Sequence, residues 1–442
     1  MAVRNRIPGT IAAVAVLVVL SGVVALPGVV ATAWAGEASA LDGPHAPPGV
    51  VAPSATTIDF GGQRTGTIGP VNDLTLTNDG PGTAHISAID VSGVDAGDFG
   101  GDASACTDVA LPPGGSCTIS VVFSPESTGP ISAQLAETDG TGVHVMTTLI
   151  GSGTSGFWVL SATGLVQPFG DASFYGQMQG LPLNAPMVSI TATPNGDGSW
   201  LLGRDGGVFT VGNATFYGST GSLRLNAPVV GMAATPDGGG YWLVAADGGV
   251  FAFGDAGFYG STGSLRLNAP VVGMAVTPDG GGYWLVASDG GVFAFGDAGF
   301  YGSTGSLRLN APVVGMAASP SGGGYLMVAS DGGIFAFGDA EYAGSAAGVR
   351  LAAPIVGMAL TSDGDGYWMV GADGGVINVG DAPFYGSAVG QTTSPIVGIA
   401  ATAGPALQLI PQSRDGAESG PQDIGDGRPL APFGHGSGQR QG

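Results

Sequence analysis

From Phe157 to about Thr402, short apolar runs alternate with glycine-rich polar turns, and the whole pattern repeats. Its fullest copy reads GGGYWLVASDGGVFAFGDAGFYGSTGSLRLNAPVVGMA. Trp158, Trp200, Trp242 and Trp284 follow one another every 42 residues, and Trp368 comes two periods later, with Leu326 in the slot between. In one central copy the pattern predicts four strands: Val229–Ala234, Tyr241–Ala245, Val250–Phe253, and Phe258–Gly260 with its continuation. Asp-Gly turns separate them, because glycine accepts the positive φ of tight hairpins. In the second strand Tyr241 and Leu243 point one way and Trp242 and Val244 the other, so the strand needs cover on both faces. Stacked blades supply that cover, and four short strands in about 42 residues predict a β-propeller blade.

The ends of the array predict closure. It opens on a second-strand element, Gly156–Leu160, and finishes on a first-strand element, Pro395–Ala400. Pairing the two closes a ring of six blades without an open edge. A degenerate further element at Ala406–Ile410 keeps seven blades or an open solenoid in view.

Upstream, residues 55–154 show strand alternation. Leu74 and Leu76 share one face of a strand, as do Cys117, Ile119, Val121 and Phe123 of another. Turn clusters at 78–82 and 112–115 separate strands, and about seven of these in 100 residues predict a β-sandwich. Cys106 and Cys117 are the two cysteines of the chain, and in an exported protein such a pair predicts a disulfide.

The flanks are of another kind. Arg4 and Arg6 precede an apolar run, Ile11–Leu26, and Ala33-Trp34-Ala35 offers a cleavage site. Residues 1–35 therefore read as a signal peptide, with an uncleaved anchor as the alternative, and 36–54 as a linker. Residues 403–442, rich in Gly, Pro, Gln and Asp, read as a disordered tail. No later segment is long and apolar enough to span a bilayer, so no membrane span is expected after signal cleavage.

Two resemblances sharpen this picture. The ordered motifs IDFGGQRTGT, LTLTNDGPGTAHISAIDVSG, DAGDFG, LPPGGSCTISVVFSPESTG and LIGSGT are similar to the choice-of-anchor D type of immunoglobulin-like domain, related to the ASPM–SPD-2–Hydin domains. This resemblance implies a non-enzymatic sandwich used as a spacer or adhesion module in secreted or surface-attached bacterial proteins. The array resembles the GYWLVASDGGVFAFGDA repeats of secreted actinobacterial proteins, which implies little about activity. The expected fold is all-β: an immunoglobulin-like sandwich followed by a propeller over residues 156–402.

Charge then limits the function. The chain carries 33 acidic against 11 basic residues, net −22, and every basic residue is arginine. Such a surface repels phosphate backbones, so nucleic acid is not an expected partner. The array holds no His, Cys or Lys and a single Glu, Glu341, which rules out Ser-His-Asp or Cys-His catalysis inside it. Asp residues recur at turns, where turn chemistry explains them.

Meander topology sorts these charges onto two rims. One rim takes Asp205, Asp247, Asp289, Asp331 and Asp373 with Arg224, Arg266, Arg308 and Arg350, and exposed ion pairs are expected there. The other takes Asp171, Asp237, Asp255, Asp279, Asp297, Asp339, Asp363 and Asp381, with no arginine among them. This acidic rim is expected to meet solvent, a basic partner or a cation such as Ca2+, although no EF-hand spacing occurs. The expected function is a secreted or cell-surface binding and scaffolding protein, with a protein or glycan of the envelope as partner. The alternative is a hydrolase or lyase acting on envelope polysaccharide through paired Asp residues.

Overall fold

The computed structural model describes residues 49–139 and 142–402. The expected signal peptide, most of the linker, the tail and the element at 406–410 lie outside the described residues. Apart from one 3-10 turn, Ala96–Asp98, all regular structure among the described residues is β. No helix among them is long and apolar enough to cross a membrane.

Residues 51–154 build two four-stranded sheets around one core. The first orders strands Val51–Pro53, Asn72–Asn78, Ser116–Phe123 and Phe99–Asp102. The second orders Thr57–Arg64, Gly142–Thr154, Gly129–Asp139 and Ala88–Ser92. Leu74, Leu76, Ile119, Val121 and Phe123 of the first sheet meet Ile89, Val91, Ile131, Leu135 and Leu149 of the second. Phe60, Phe99 and Phe123 cluster within it, with ring centroids 5.0–5.6 Å apart. Cys106 and Cys117 form a disulfide that ties the loop before strand Val109–Leu111 to strand Ser116–Phe123. Strand Val51–Pro53 starts before the expected boundary at residue 55. It pairs with Leu76–Asn78, and the Asn78 side chain accepts from the Val50 N–H and donates to Gly82 and Leu111. An almost fully buried polar side chain is thereby satisfied while it locks three segments together.

From residue 156 the chain forms six three-stranded antiparallel sheets with propeller-like repetition. In the third, Val229–Ala234, Gly240–Ala245 and Val250–Gly254 pair in order. The middle strand of every sheet is buried along its whole length. Tyr241 and Leu243 pack on Trp200 and Leu202 of the sheet before, and Trp242 and Val244 on Tyr283 and Leu285 of the sheet after. This two-sided burial is why both faces of YWLV are apolar. Trp158, Trp200, Trp242, Trp284 and Trp368 are 0–1% exposed and act in packing.

The first strands contact one another in a closed cycle: Met187–Ala192, Val229–Ala234, Val271–Val276, Val313–Ala318, Ile355–Leu360 and Ile396–Ala401. The last of these pairs antiparallel with Gly156–Ser161, Trp158 opposite Ala400. Thr402 secures the junction, donating its N–H to Gly156 O and accepting the Gly156 N–H on Oγ1 at 2.9 Å.

The expected fourth strand is not formed: Phe258–Gly260 and its equivalents are irregular. Their backbone groups bond to side chains of their own sheet and the next instead of to a ladder. Gly257 O accepts the Trp242 indole N–H at 2.6 Å. Tyr259 and Gly260 donate to the Tyr283 hydroxyl, which donates in turn to Gly260 O at 2.6 Å. With its backbone groups satisfied this way, the segment has no need of a strand partner.

Candidate functional site

The acidic rim is built by two turns per sheet and a hydroxyl ladder. Each first strand runs into a Thr or Ser: Thr193, Thr235, Thr277, Ser319, Thr361 and Thr402, all buried. Thr235 Oγ1 accepts the Gly240 N–H and donates to Asp237 Oδ1 at 2.8 Å. Thr277 reaches Asp297, Ser319 reaches Asp339 at 2.7 Å, Thr361 reaches Asp363 and Asp381, and Thr402 reaches Asp171 at 2.8 Å. Asp237, Asp279 and Asp363 also accept backbone N–H groups two residues on, closing their own turns. These bonds, the Gly239 and Gly281 amides first and the threonine hydroxyls next, hold Asp237 and Asp279 below the usual carboxylate range.

Asp381 departs in the other direction. Partial desolvation, then the charges of Asp363 and Asp365, pushes it up to about 6. Asp365 is also raised, by burial first and then by Asp363 and Glu341. Asp237, Asp279 and Asp363 are thus tied to their own turns, and no three His, Cys, Asp or Glu side chains among the described residues are placed to hold a metal ion.

This rim is where the two-sheet domain docks, which corrects the expectation of a rim without arginine. Arg64 donates from Nη1 to Asn195 O and to Asp197 Oδ1 at 3.2 Å. Its Nε lies 3.5 Å from Asp171 Oδ2, an electrostatic contact rather than a hydrogen bond. Ser362 Oγ donates to Glu126 O at 3.0 Å on another part of the rim. The buried turn at Thr65 and Gly66 sits at the mouth of an axial cavity of about 490 Å³. Its walls are mostly apolar, with Met232, Met358, Ile190 and Ile399, and prolines stand at its lip.

The opposite rim brings the other predicted residues together. Asp205, Asp247, Asp289, Asp331 and Asp373 close the turns after the second strands, each accepting a glycine N–H at 3.0 Å. Arg224, Arg266, Arg308 and Arg350 are exposed on the loops that enter the next sheets. The expected ion pairs are not formed: Arg224, Arg266, Arg308 and Arg350 pair with no carboxylate among the described residues, whereas Arg64 pairs with Asp171 and Asp197 on the other rim. The turn amides take one oxygen of each carboxylate, and the arginines extend into solvent. A cavity of about 420 Å³ lies on this rim between Leu223–Ala227, Asp247, Phe251 and Gly263.

Sequence reasoning missed Arg64, the hydroxyl ladder and the tyrosine hydroxyl clamps. The recurrence of Thr or Ser before Pro at 193, 235, 277 and 319 was the available signal for the ladder. Nothing local marks Arg64, since its partners are more than 100 residues away.

No family model and no curated protein matches the chain. Among solved structures, it is similar to a structural genomics protein of unknown function from Bacteroides thetaiotaomicron. That likeness has a TM-score of 0.42 at 13% identity and covers 75% of this chain and 83% of the other. The β-propeller domain of Cps50 (Swd1) from Myceliophteria thermophila gives 0.31 at 13% identity, over 45% of this chain and 66% of the other. At these scores neither likeness carries a functional conclusion.

Proposed function

We propose that this is an exported, non-catalytic binding and scaffolding protein of the cell surface or extracellular space. In this reading an immunoglobulin-like sandwich of the choice-of-anchor D type carries a six-bladed propeller of the actinobacterial repeat type. The observation that carries the proposal is the placement of the sandwich. It reaches the acidic rim through Arg64 and Glu126, while Arg224, Arg266, Arg308 and Arg350 of the mixed-charge rim are exposed among the described residues. A spacer fixed behind a ring presents the ring's far face. Repetition of the rim aspartates as turn closers supports a scaffold role for them rather than a catalytic one.

The test is a glycan array together with pull-down from envelope extracts, using the secreted full chain. Saturable capture of a glycan or protein is expected. Turnover of any polysaccharide would replace this reading with a hydrolase or lyase. Mass spectrometry of the secreted N-terminus checks export, which is expected to remove Met1 with the leader.

A further inference from the structure

The mixed-charge rim repeats one constellation in which a turn-closing aspartate and a packed phenylalanine stand beside an arginine and an asparagine that neither packing nor turn closure requires. In the third ring sheet, Arg224, Asn226, Asp247 and Phe251 line the cavity of about 420 Å³, within the roughly 300–1,000 Å³ of small-molecule sites. Arg224 and Asn226 are exposed and make no side-chain hydrogen bond or ion pair among the described residues. Asp247 spends Oδ1 on the Gly249 amide, and Oδ2 has no partner among them. Leu223, 57% exposed, stands beside the opening. The next two sheets carry the same set, Arg266, Asn268, Asp289 and Phe293, then Arg308, Asn310, Asp331 and Phe335. Their turns repeat the same 3.0 Å aspartate–glycine bond. The other sheets break it: Pro182 replaces the arginine before the second, and Ala352 and Ile377 replace the asparagine and phenylalanine of the sixth. The set is complete in three consecutive sheets.

We propose that this cavity and the equivalent sets on the next two sheets form one extended site for a neutral polysaccharide. This rests on the binding reading above and names its ligand class. Each set pairs one cationic donor with one anionic acceptor and an amide, so it carries no net charge. Sugar hydroxyls both donate and accept, and they match that mixture. The phenylalanine and leucine give the apolar wall that the C–H face of a sugar ring needs. A net charge of −22 repels polyanions, and the arginines oppose a polycation. Equivalent residue sets on successive sheets favour a chain of repeating units, because each bound unit raises the effective concentration of the next.

The experiment is titration calorimetry of the full chain with a glucan, a mannan and a galactan, with the trisaccharide of each, and with a uronate polymer as the anionic counterpart. One neutral polymer is expected to bind at least tenfold more tightly than its trisaccharide, with little dependence on salt. Combined Arg224→Ala, Arg266→Ala and Arg308→Ala substitutions should weaken it at least tenfold with an unchanged melting profile. If that variant unfolds, Asn226→Ala with Asn268→Ala and Asn310→Ala should give the same loss. Binding untouched by either set, or seen with the uronate polymer alone and abolished by salt, overturns the proposal. Envelope pull-down separates the two levels. A captured partner without neutral-polymer binding ends this inference and leaves the binding reading standing, and capture of nothing ends both.

Discussion

Tyr283→Phe isolates what the hydroxyl clamp contributes. The substitution keeps the ring, which packs on Trp242 and Phe295 at centroid distances of 5.8 and 5.7 Å. It deletes one short bond, hydroxyl to Gly260 O at 2.6 Å, and two long ones, from Gly260 N at 3.1 Å and Tyr259 N at 3.2 Å. A net hydrogen bond is worth about 0.5–1.5 kcal/mol, and a group left without a partner costs more. The segment is partly exposed, so water can reclaim some of its backbone groups, and a total near 2 kcal/mol follows. For a domain of this size the melting temperature should fall by roughly 4–8 °C. Hydrogen exchange at the Tyr259 and Gly260 amides is the direct assay, and both should lose protection. The wild-type ring contains its own control. Phe157 holds the equivalent slot in the first sheet, so the Tyr385 and Gly386 amides should already exchange faster than Tyr259 and Gly260. Unchanged melting together with unchanged exchange at Gly260 would refute the idea that this hydroxyl replaces a strand partner.

Three further outcomes are expected. Arg64→Ala should weaken the coupling of the two domains by about 1–2 kcal/mol, because Asp171 keeps its Thr154 and Thr402 donors and Asp197 is largely solvated; calorimetry should then resolve two transitions where wild type shows closer cooperativity, and an unaltered trace counts against the docking role. Asp381 binds its proton more tightly folded than unfolded, so its contribution should make the chain less stable as pH rises from about 4 to 6; Asp98, which burial also pushes up to about 6, and Asp365 act in the same sense, so Asp381→Asn should reduce that slope without abolishing it. Asp237 and Asp279 act oppositely, below pH 4, and a 4–6 slope that Asp381→Asn leaves unreduced would assign it to the other groups. Replacing Cys106 and Cys117 by serine should cost about 2–3 kcal/mol in urea unfolding of the first domain, and a loss under 0.5 kcal/mol would mean the crosslink adds little.

The sequence reveals most where one physical cause governs a whole copy. Two-sided burial of YWLV and the Asp-Gly turns follow from period and polarity alone, and the all-β class follows with them. The cysteine pair was legible because export and proximity suffice to predict it. The fourth strand was misread because Phe258 and Tyr259 have strand composition, while the groups that satisfy their backbone, Trp242 and Tyr283, sit in other strands. The rim ion pairs failed for a related reason. Sorting charges to a rim says nothing of reach, and the turn glycines capture each aspartate locally. Arg64 shows the remaining limit, since a contact between domains leaves no periodic trace.

The last ring strand has a consequence for synthesis. Gly156 and Thr402, joined by hydrogen bonds, stand 246 residues apart, and all the other ring sheets are made between them. A chain truncated short of Ile396 therefore keeps one unpaired edge on Gly156–Ser161, whose other edge stays paired with Val166–Gly170, and that open edge is an adhesive seam for any other unfinished copy.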